Sequence, residues 1–325
     1  MANYLVSGAA GFIGSKVCDV LLSDGHSVLG VDNLNDAYDI RLKQWRLAQL
    51  QDQAGFSYAQ RDIRDLPALE DLHAEYGPFE GIINLAARAG VRASTEDPWI
   101  FFSTNVTGTL NLLEIARRHS IPKFVLASTS SIYGADAPLP TPETADSSHP
   151  LQPYAASKKA AEVLCHSYHY LYGLDVTVFR YFTVYGPAGR PDMVMFRFLQ
   201  WIAEGRQVRL NGDGEQTRGF TYLDDIARGT VLGLKPLGFE IINLGGHEVI
   251  SMNDMILILE EYLGRKAQIK HFPAHPADML ANQADVEKAG QLLGWEPAVS
   301  LREGIRRMVD WYMQERTWAS QVLTP

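Results

Sequence analysis

The sequence predicts an α/β protein built on a doubly wound parallel sheet, with a smaller C-terminal α/β region. Three observations carry this expectation. Short runs rich in Val, Ile and Leu recur through the first 180 residues, apolar without alternation, as strands buried on both faces are. Segments of helical periodicity separate them, the arrangement that builds a parallel sheet. Glycines at 8, 11 and 14 stand between the first such run and the first helical segment. The chain's 325 residues suffice for about two domains and for a core that needs neither metal nor disulfide.

Taken in order, strands are expected at Tyr4–Ser7, Ser27–Val31, Gly81–Leu85, Lys123–Ala127 and Val176–Arg180. Helices are expected at Ser15–Leu22, Val106–Arg117 and Ala155–Tyr172. After Arg180 the pattern loosens into Gly/Pro-rich loops, with a strand at Glu240–Leu244 and helices near Met252–Leu263 and Leu301–Glu315. The expected division is a sheet domain over 1–180, to which segments near 220–250 return, and a second region over 181–325.

Composition excludes several classes. With 29 Lys+Arg against 38 Asp+Glu, the net charge is -9, which argues against a nucleic-acid or anionic-membrane binder. It leaves room for a small anion opposed by a local arginine cluster. Cys18 and Cys165 fall in amphipathic segments and read as buried thiols, offering no disulfide framework and no metal spacing. No secretory pattern or long apolar run is present, so a soluble, cytoplasmic protein is expected.

Around the glycines, Gly8 allows a tight turn, Gly11 a close approach of backbone to a pyrophosphate, and Gly14 tight packing of helix on strand. Phe12 and Ile13, between the last two glycines, are expected at the cofactor beside the entry to the helix, whose free N–H groups and dipole favour phosphate. Asp32 ends the next strand 18 residues after Gly14, where a carboxylate accepts hydrogen bonds from ribose hydroxyls and repels a 2′-phosphate. Asn33, Leu34 and Asn35 follow, with no immediate arginine for that phosphate. The expected cofactor is NAD rather than NADP. Asp62 and Ile63, after another short strand, would flank the adenine; the residues leave a solvated loop acid equally open at Asp62.

Tyr154 and Lys158 lie one helical turn apart on one face. A phenol ionises near 10; a neighbouring ammonium favours the phenolate, so such a tyrosine can act as a base. The pair alone is common and usually structural. It gains weight downstream of a dinucleotide fingerprint and of the hydroxyl cluster Ser128-Thr129-Ser130-Ser131, which ends an intervening strand. In open parallel sheets, ligands bind beyond the carboxyl ends of the strands.

Together the glycine triplet, Asp32, the hydroxyl cluster and the Tyr154/Lys158 pair resemble the extended short-chain dehydrogenase/reductase family, whose members mostly act on nucleotide sugars. The resemblance covers nearly the whole chain and implies a Rossmann domain for NAD with a substrate domain behind it. It further implies Thr129 as the catalytic hydroxyl, Tyr154 as base, and Lys158 as the residue that also holds the nicotinamide ribose. Asn84–Ala87, including Ala86, resembles the segment passing beside the cofactor. Asn105 resembles a structural helix element.

Three segments are more discriminating: Asp32–Leu50, Ala86–Arg92 and Phe182–Met193. All three are similar to the UDP-glucuronate 4-epimerase branch of that family, the last most specifically. Its implied substrate carries a carboxylate on carbon 5, and an arginine can pair with that group through two parallel bonds. Arg190 with Thr183, Ser130 and Ser131 is the expected carboxylate site, with Arg92 as a further candidate. Arg218, in a segment resembling one that binds UDP, and Arg197 would serve the diphosphate. Asp278 would meet Arg218 or the nucleotide ribose. Gly219 stands where the family usually has Asp, and the stretch after Asp278 also departs from the pattern.

The implied reaction removes hydride from carbon 4 to NAD while Tyr154 takes the hydroxyl proton. The keto sugar then turns its other face and hydride returns. A 4,6-dehydratase would need an Asp–Glu pair where Ser130 and Ser131 stand. UDP-glucose 4-epimerase, UDP-glucuronate decarboxylase and a catalytically silent NAD-binding regulator remain the alternative readings. The helices Val106–Arg117 and Ala155–Tyr172 could pair across a two-fold axis as a four-helix bundle, giving a homodimer.

Overall fold

A computed structural model describes residues 1–246, 248–273 and 281–324. The N-terminal elements alternate: β1 (Asn3–Ser7), α1 (Phe12–Ser23), β2 (Ser27–Asp32), α2 (Ile40–Gln51), β3 (Phe56–Gln60), α3 (Leu66–Tyr76) and β4 (Gly81–Asn84). Two short helices, α4 (Ala93–Glu96) and α5 (Pro98–Phe102), lead through a π-helical turn into α6 (Gly108–Arg118). There follow β5 (Lys123–Thr129), a 3₁₀ turn over Ser130–Tyr133, α7 (Pro153–Tyr172) and β6 (Asp175–Tyr181).

Beyond these come β7 (Val184–Tyr185), α8 (Val194–Ala203), β8 (Gln207–Asn211), β9 (Thr217–Gly219), β10 (Thr221–Tyr222) and α9 (Leu223–Leu232). The remainder is β11 (Phe239–Leu244), β12 (Val249–Ser251), α10 (Met252–Leu263), β13 (Gln268–Phe272), α11 (Glu287–Leu293), α12 (Leu301–Gln314) and α13 (Arg316–Ala319).

Seven parallel strands form one sheet in the order β11-β6-β5-β4-β1-β2-β3. The order reverses between β1 and β4, the switch point beside which ligands bind in such sheets. Alternation along each strand feeds two cores. Leu5, Leu29 and Phe124 face α3, α6 and α7, while Val6, Val28 and Val125 face α1, α9 and α11. Burial on both faces explains why these strands read as unbroken apolar runs.

A third core lies in the C-terminal half, where α8, α10 and α12 pack around Phe196, Leu259 and Tyr312. Leu42 of α2 is buried in this core, and Trp45 meets Trp311 edge-on with ring centroids 5.7 Å apart. Helix α2 therefore belongs to the sheet by connectivity and to the C-terminal core by packing. Both cysteines are buried and unpaired. Among the described residues, no helix is long and apolar enough to cross a membrane.

Candidate active site

At the mouth of β1 the chain turns sharply. Gly8 has φ +75°, and a Cβ there would meet the Ala86 backbone nitrogen at 2.7 Å. One at Gly14 would overlap the Gly8 carbonyl oxygen, so α1 can lie this close to the turn only with glycine at both positions. Gly11 is the residue before α1 and offers no side-chain cap, leaving the first N–H groups from Phe12 and Ile13 for an anion.

Asp32 is buried at the end of β2, accepting from Ala10 N at 3.2 Å and Leu34 N at 2.8 Å. Asn33, a further expected cofactor residue, donates to Asp62 at 2.9 Å, which ties the end of β2 to the acid expected beside the adenine. The Asp62 carboxyl is held down at about 2, chiefly by Arg64. Asn111 donates to the Ile63 carbonyl at 2.9 Å. The Ala86 nitrogen is tied to Ser7 Oγ at 3.3 Å. These residues fit a dinucleotide with its pyrophosphate on α1 and its adenosine ribose at Asp32.

The hydroxyl cluster ends β5. Thr129 Oγ1 caps the following turn by accepting from Ser131 N at 3.2 Å. Thr129 stands near enough to the Tyr154 hydroxyl to favour its ionised form. Burial pushes the Tyr154 phenol up; Thr129 and the Arg190 charge oppose that rise, and Asp192 adds to it. Arg190 is thus a cation bearing on the phenol that the sequence did not single out for that role. Burial pulls Lys158 down to about 8, against Cys165 and Glu162, which favour its charge.

Arg190 donates to Asp192 through Nε at 3.0 Å and Nη2 at 2.5 Å, and to the Ala89 carbonyl at 3.2 Å. The guanidinium therefore already pairs with a carboxylate in the two-bond geometry expected for a sugar acid. Thr183 accepts from Thr221 N at 2.8 Å, fixing the chain between β6 and β7. Ser130 accepts from Asn282 at 3.4 Å.

A model of the NAD dependent epimerase/dehydratase family matches residues 4–245. The chain belongs to this family. It is 54% identical over 312 residues to a UDP-glucuronate 4-epimerase of Thermodesulfobacterium geofontis, covering 96% of both chains. A UDP-glucuronic acid 4-epimerase from Bacillus cereus, solved with UDP-glucuronic acid and NAD, is 36% identical with a TM-score of 0.89. That match covers 96% of this chain and 99% of the other. A UDP-glucose 4-epimerase from Thermotoga maritima, solved with UDP-glucose, is 33% identical with the same TM-score, 0.89, over 97% of this chain and 99% of that one.

Within this epimerase/dehydratase framework the remaining predicted residues have distinct settings. Arg197 lies on α8 with its guanidinium 4.6 Å from the Trp201 ring centroid. Arg218 lies in β9, paired antiparallel with β12. Arg92 precedes α4, its carbonyl accepting from Thr95. Asp278 lies outside the described residues. Asn105 is buried, bonding the Arg88 backbone and Ser157 Oγ, which gives it a structural role.

Several residues escaped the sequence reading. Lys43 and Arg46 are 4% and 3% exposed, and Lys43 Nζ lies 3.8 Å from Asp32. The signal was their spacing: they fall at i and i+3 with Leu47 and Leu50, cations on an inward stripe. Asn282 links the hydroxyl cluster to β9, since its carbonyl also accepts from Gly219 N at 2.7 Å. Nothing in its local sequence marks that contact. Glu162 continues the Tyr154–Lys158 face at i+8 and was readable on that ground.

Proposed function

We infer that this chain inverts carbon 4 of UDP-glucuronate to give UDP-galacturonate, with NAD as its resident dinucleotide. The observation that carries the reading is the meeting of Thr129, Tyr154 and Arg190 at the carboxyl ends of β5 and β6. Bound NAD would supply the hydride acceptor and donor for carbon 4. Tyr154 takes the proton from the 4-hydroxyl and later returns it, while Thr129 holds the same oxygen. Lys158, on the buried face of α7, supports the nicotinamide ribose. Arg190 grips the carboxylate with Thr183, Ser130 and Ser131, and Arg92 stands as a further contact. Arg218 and Arg197 oppose the diphosphate.

The keto intermediate is a β-keto acid. Arg190 must hold its carboxylate so that the breaking bond stays poorly aligned with the ketone, while the sugar still turns. Equal likeness in fold to a UDP-glucose 4-epimerase favours a neutral-sugar reading, but fold does not read the substituent on carbon 5. A half-buried arginine bearing on the base does.

The reading extends to a cytoplasmic homodimer formed through α6 and α7, with 1–180 as the cofactor domain and 181–325 mainly for the nucleotide sugar. Incubation with UDP-glucuronate, resolving UDP-galacturonate from UDP-xylose and UDP-4-keto-pentose, tests the assignment. UDP-galacturonate should dominate. Turnover of UDP-glucose with none of UDP-glucuronate would overturn it.

A further inference from the structure

Helix α2 buries a cation that the reaction above does not use. Arg46 is 3% exposed, and all of its hydrogen-bond acceptors are neutral oxygens. Nε and Nη2 both donate to the Ala188 carbonyl, at 3.1 and 2.6 Å. Nη1 donates to the Ala10 carbonyl at 3.2 Å and to the Tyr38 hydroxyl at 2.8 Å. The guanidinium also lies 5.8 Å from the Phe12 ring centroid and 5.5 Å from that of Tyr38. Burying a charge without an ionic partner is costly, and apolar side chains would fill this space more cheaply.

What the arrangement achieves is a junction. Ala10 belongs to the dinucleotide turn and Phe12 opens α1, whereas Ala188 stands two residues before Arg190. Ala188 has φ +50°, a left-handed conformation that a side chain disfavours. Two N–H groups converging on its carbonyl stabilise that conformation. Phe12 sits under the same loop: a Cβ at Gly189 would lie 3.8 Å from its ring. The Tyr38 phenol is close enough to bear on the Arg190 charge.

We propose that Arg46 is a positioning residue, which sets the loop carrying Arg190 at a fixed distance from the dinucleotide turn and so governs how the acid group of the substrate is held. The proposal rests on the reading of Arg190 as the carboxylate ligand. It explains why Asp32–Leu50, which makes no predicted contact with the sugar, resembles the acid-handling branch. The segment supplies both Tyr38 and Arg46.

Loosening the loop has a chemical consequence. In the 4-keto intermediate the carbon 5–carboxylate bond can break, its electron pair passing into the ketone as an enolate that solvent protonates at carbon 5. Carbon dioxide leaves and UDP-4-keto-pentose remains, while the hydride stays on the dinucleotide. A wandering Arg190 allows the alignment that this loss requires.

The test compares Arg46→Met, Arg46→Lys, Tyr38→Phe and Arg190→Ala with the parent. Calorimetry in a Tyr154→Phe background gives the Kd for UDP-glucuronate and for UDP-glucose; chromatography of active proteins gives the product partition. Arg46→Met should weaken UDP-glucuronate by about tenfold with UDP-glucose changed less than about twofold. It should retain its NAD and release UDP-4-keto-pentose several-fold more. Arg46→Lys should recover part of the loss, and Tyr38→Phe should move both readouts the same way by less.

If Arg46→Met does not fold, Arg46→Lys and Tyr38→Phe decide on the same readouts. Parental acid preference and partition in a folded Arg46 variant, or loss of NAD alone, overturn the proposal. If Arg190→Ala alters both readouts while the Arg46 and Tyr38 variants do not, Arg190 keeps its role and this inference fails. If Arg190→Ala alters neither, the carboxylate assignment itself fails.

Discussion

Tyr154 stands between Arg190, which favours its phenolate, and Asp192, which opposes it. Each charge makes a signed prediction. A base works when deprotonated, so kcat/KM rises with pH through its ionisation. Removing the cation in Arg190→Ala leaves the phenolate less favoured, and the acid limb should move to higher pH. Asp192→Asn removes the opposing charge and should move the limb to lower pH. Equal profiles for the two variants would remove Arg190 and Asp192 from the surroundings of the base. Lys158 offers a second test. Its folded value of about 8 lies below the ordinary 10.5, so between those values the unfolded chain binds more protons and stability rises with pH. The penalty for burying the charge is therefore full below about 8. Lys158→Met should stabilise nucleotide-free protein at pH 7 by on the order of 2 kcal/mol in urea titrations. The gain should shrink as the pH rises toward 10.5. Tyr154, Lys158 and Thr129 could be proposed from the sequence because a base, a cation and a hydroxyl have few other reasons to follow a dinucleotide turn at these spacings. Arg46 and Asp192 were not, because their partners, Ala188 and Arg190, are assigned to them only by the folded loop.

At the scale of elements, α7 carries Tyr154, Lys158 and Glu162 on one face, and Glu162 anchors that face. Its carboxylate accepts from Arg180 Nε at 3.1 Å and Nη2 at 2.9 Å, and from Ser128 Oγ at 2.6 Å. Arg180 reaches on to the Tyr133 hydroxyl at 3.0 Å, which donates to Asn243 at 2.7 Å. One buried pair thus ties α7 to β5, β6 and β11. Breaking it from the Arg180 side leaves the buried Glu162 charge with only Lys159, at 3.5 Å, as counterion. Arg180→Leu should cost about 3–5 kcal/mol, and adding Glu162→Gln should recover much of that, because a neutral amide needs no counterion. Equal losses in the single and double variants, measured by denaturant unfolding, would show that the pair is not coupled. The central strands and α7 were readable from periodicity, since core packing alone dictates their residues. The small pairs β7·β10 and β9·β12 were not: each strand is only two or three residues long, and its pairing comes from the tertiary fold. Helix α2 hid for a different reason, because part of its inward stripe is cationic.

At the scale of the whole molecule, exposed apolar side chains gather on α5, α6 and α7 among the described residues. Val163 and Tyr170, seven residues apart on α7, are 56% and 80% exposed, and Trp99 on α5 is 83% exposed. Phe102 and Leu110, on α5 and α6, are also exposed. Helices α5 and α6 both pack against α7, so these side chains share a neighbourhood. The homodimer proposed above would cover this cluster, and its two-fold axis would pair α6 and α7 with their copies. The opposite face of α7 holds Lys158, Glu162 and Cys165 in the core, so one helix would carry the interface outside and the catalytic pair inside. The residues proposed for the chemistry all come from one chain, which sets the expected consequence of separation. Val163→Glu should sediment as a monomer where the parent sediments at twice the chain mass. Its melting temperature should fall, because α7 loses cover on one side. Its kcat should drop by less than about tenfold, because positioning and not composition of the site is disturbed. A parent that sediments as a monomer at micromolar concentration would remove the interface. A Val163→Glu monomer with no activity at all would mean that the site needs a residue from the second copy.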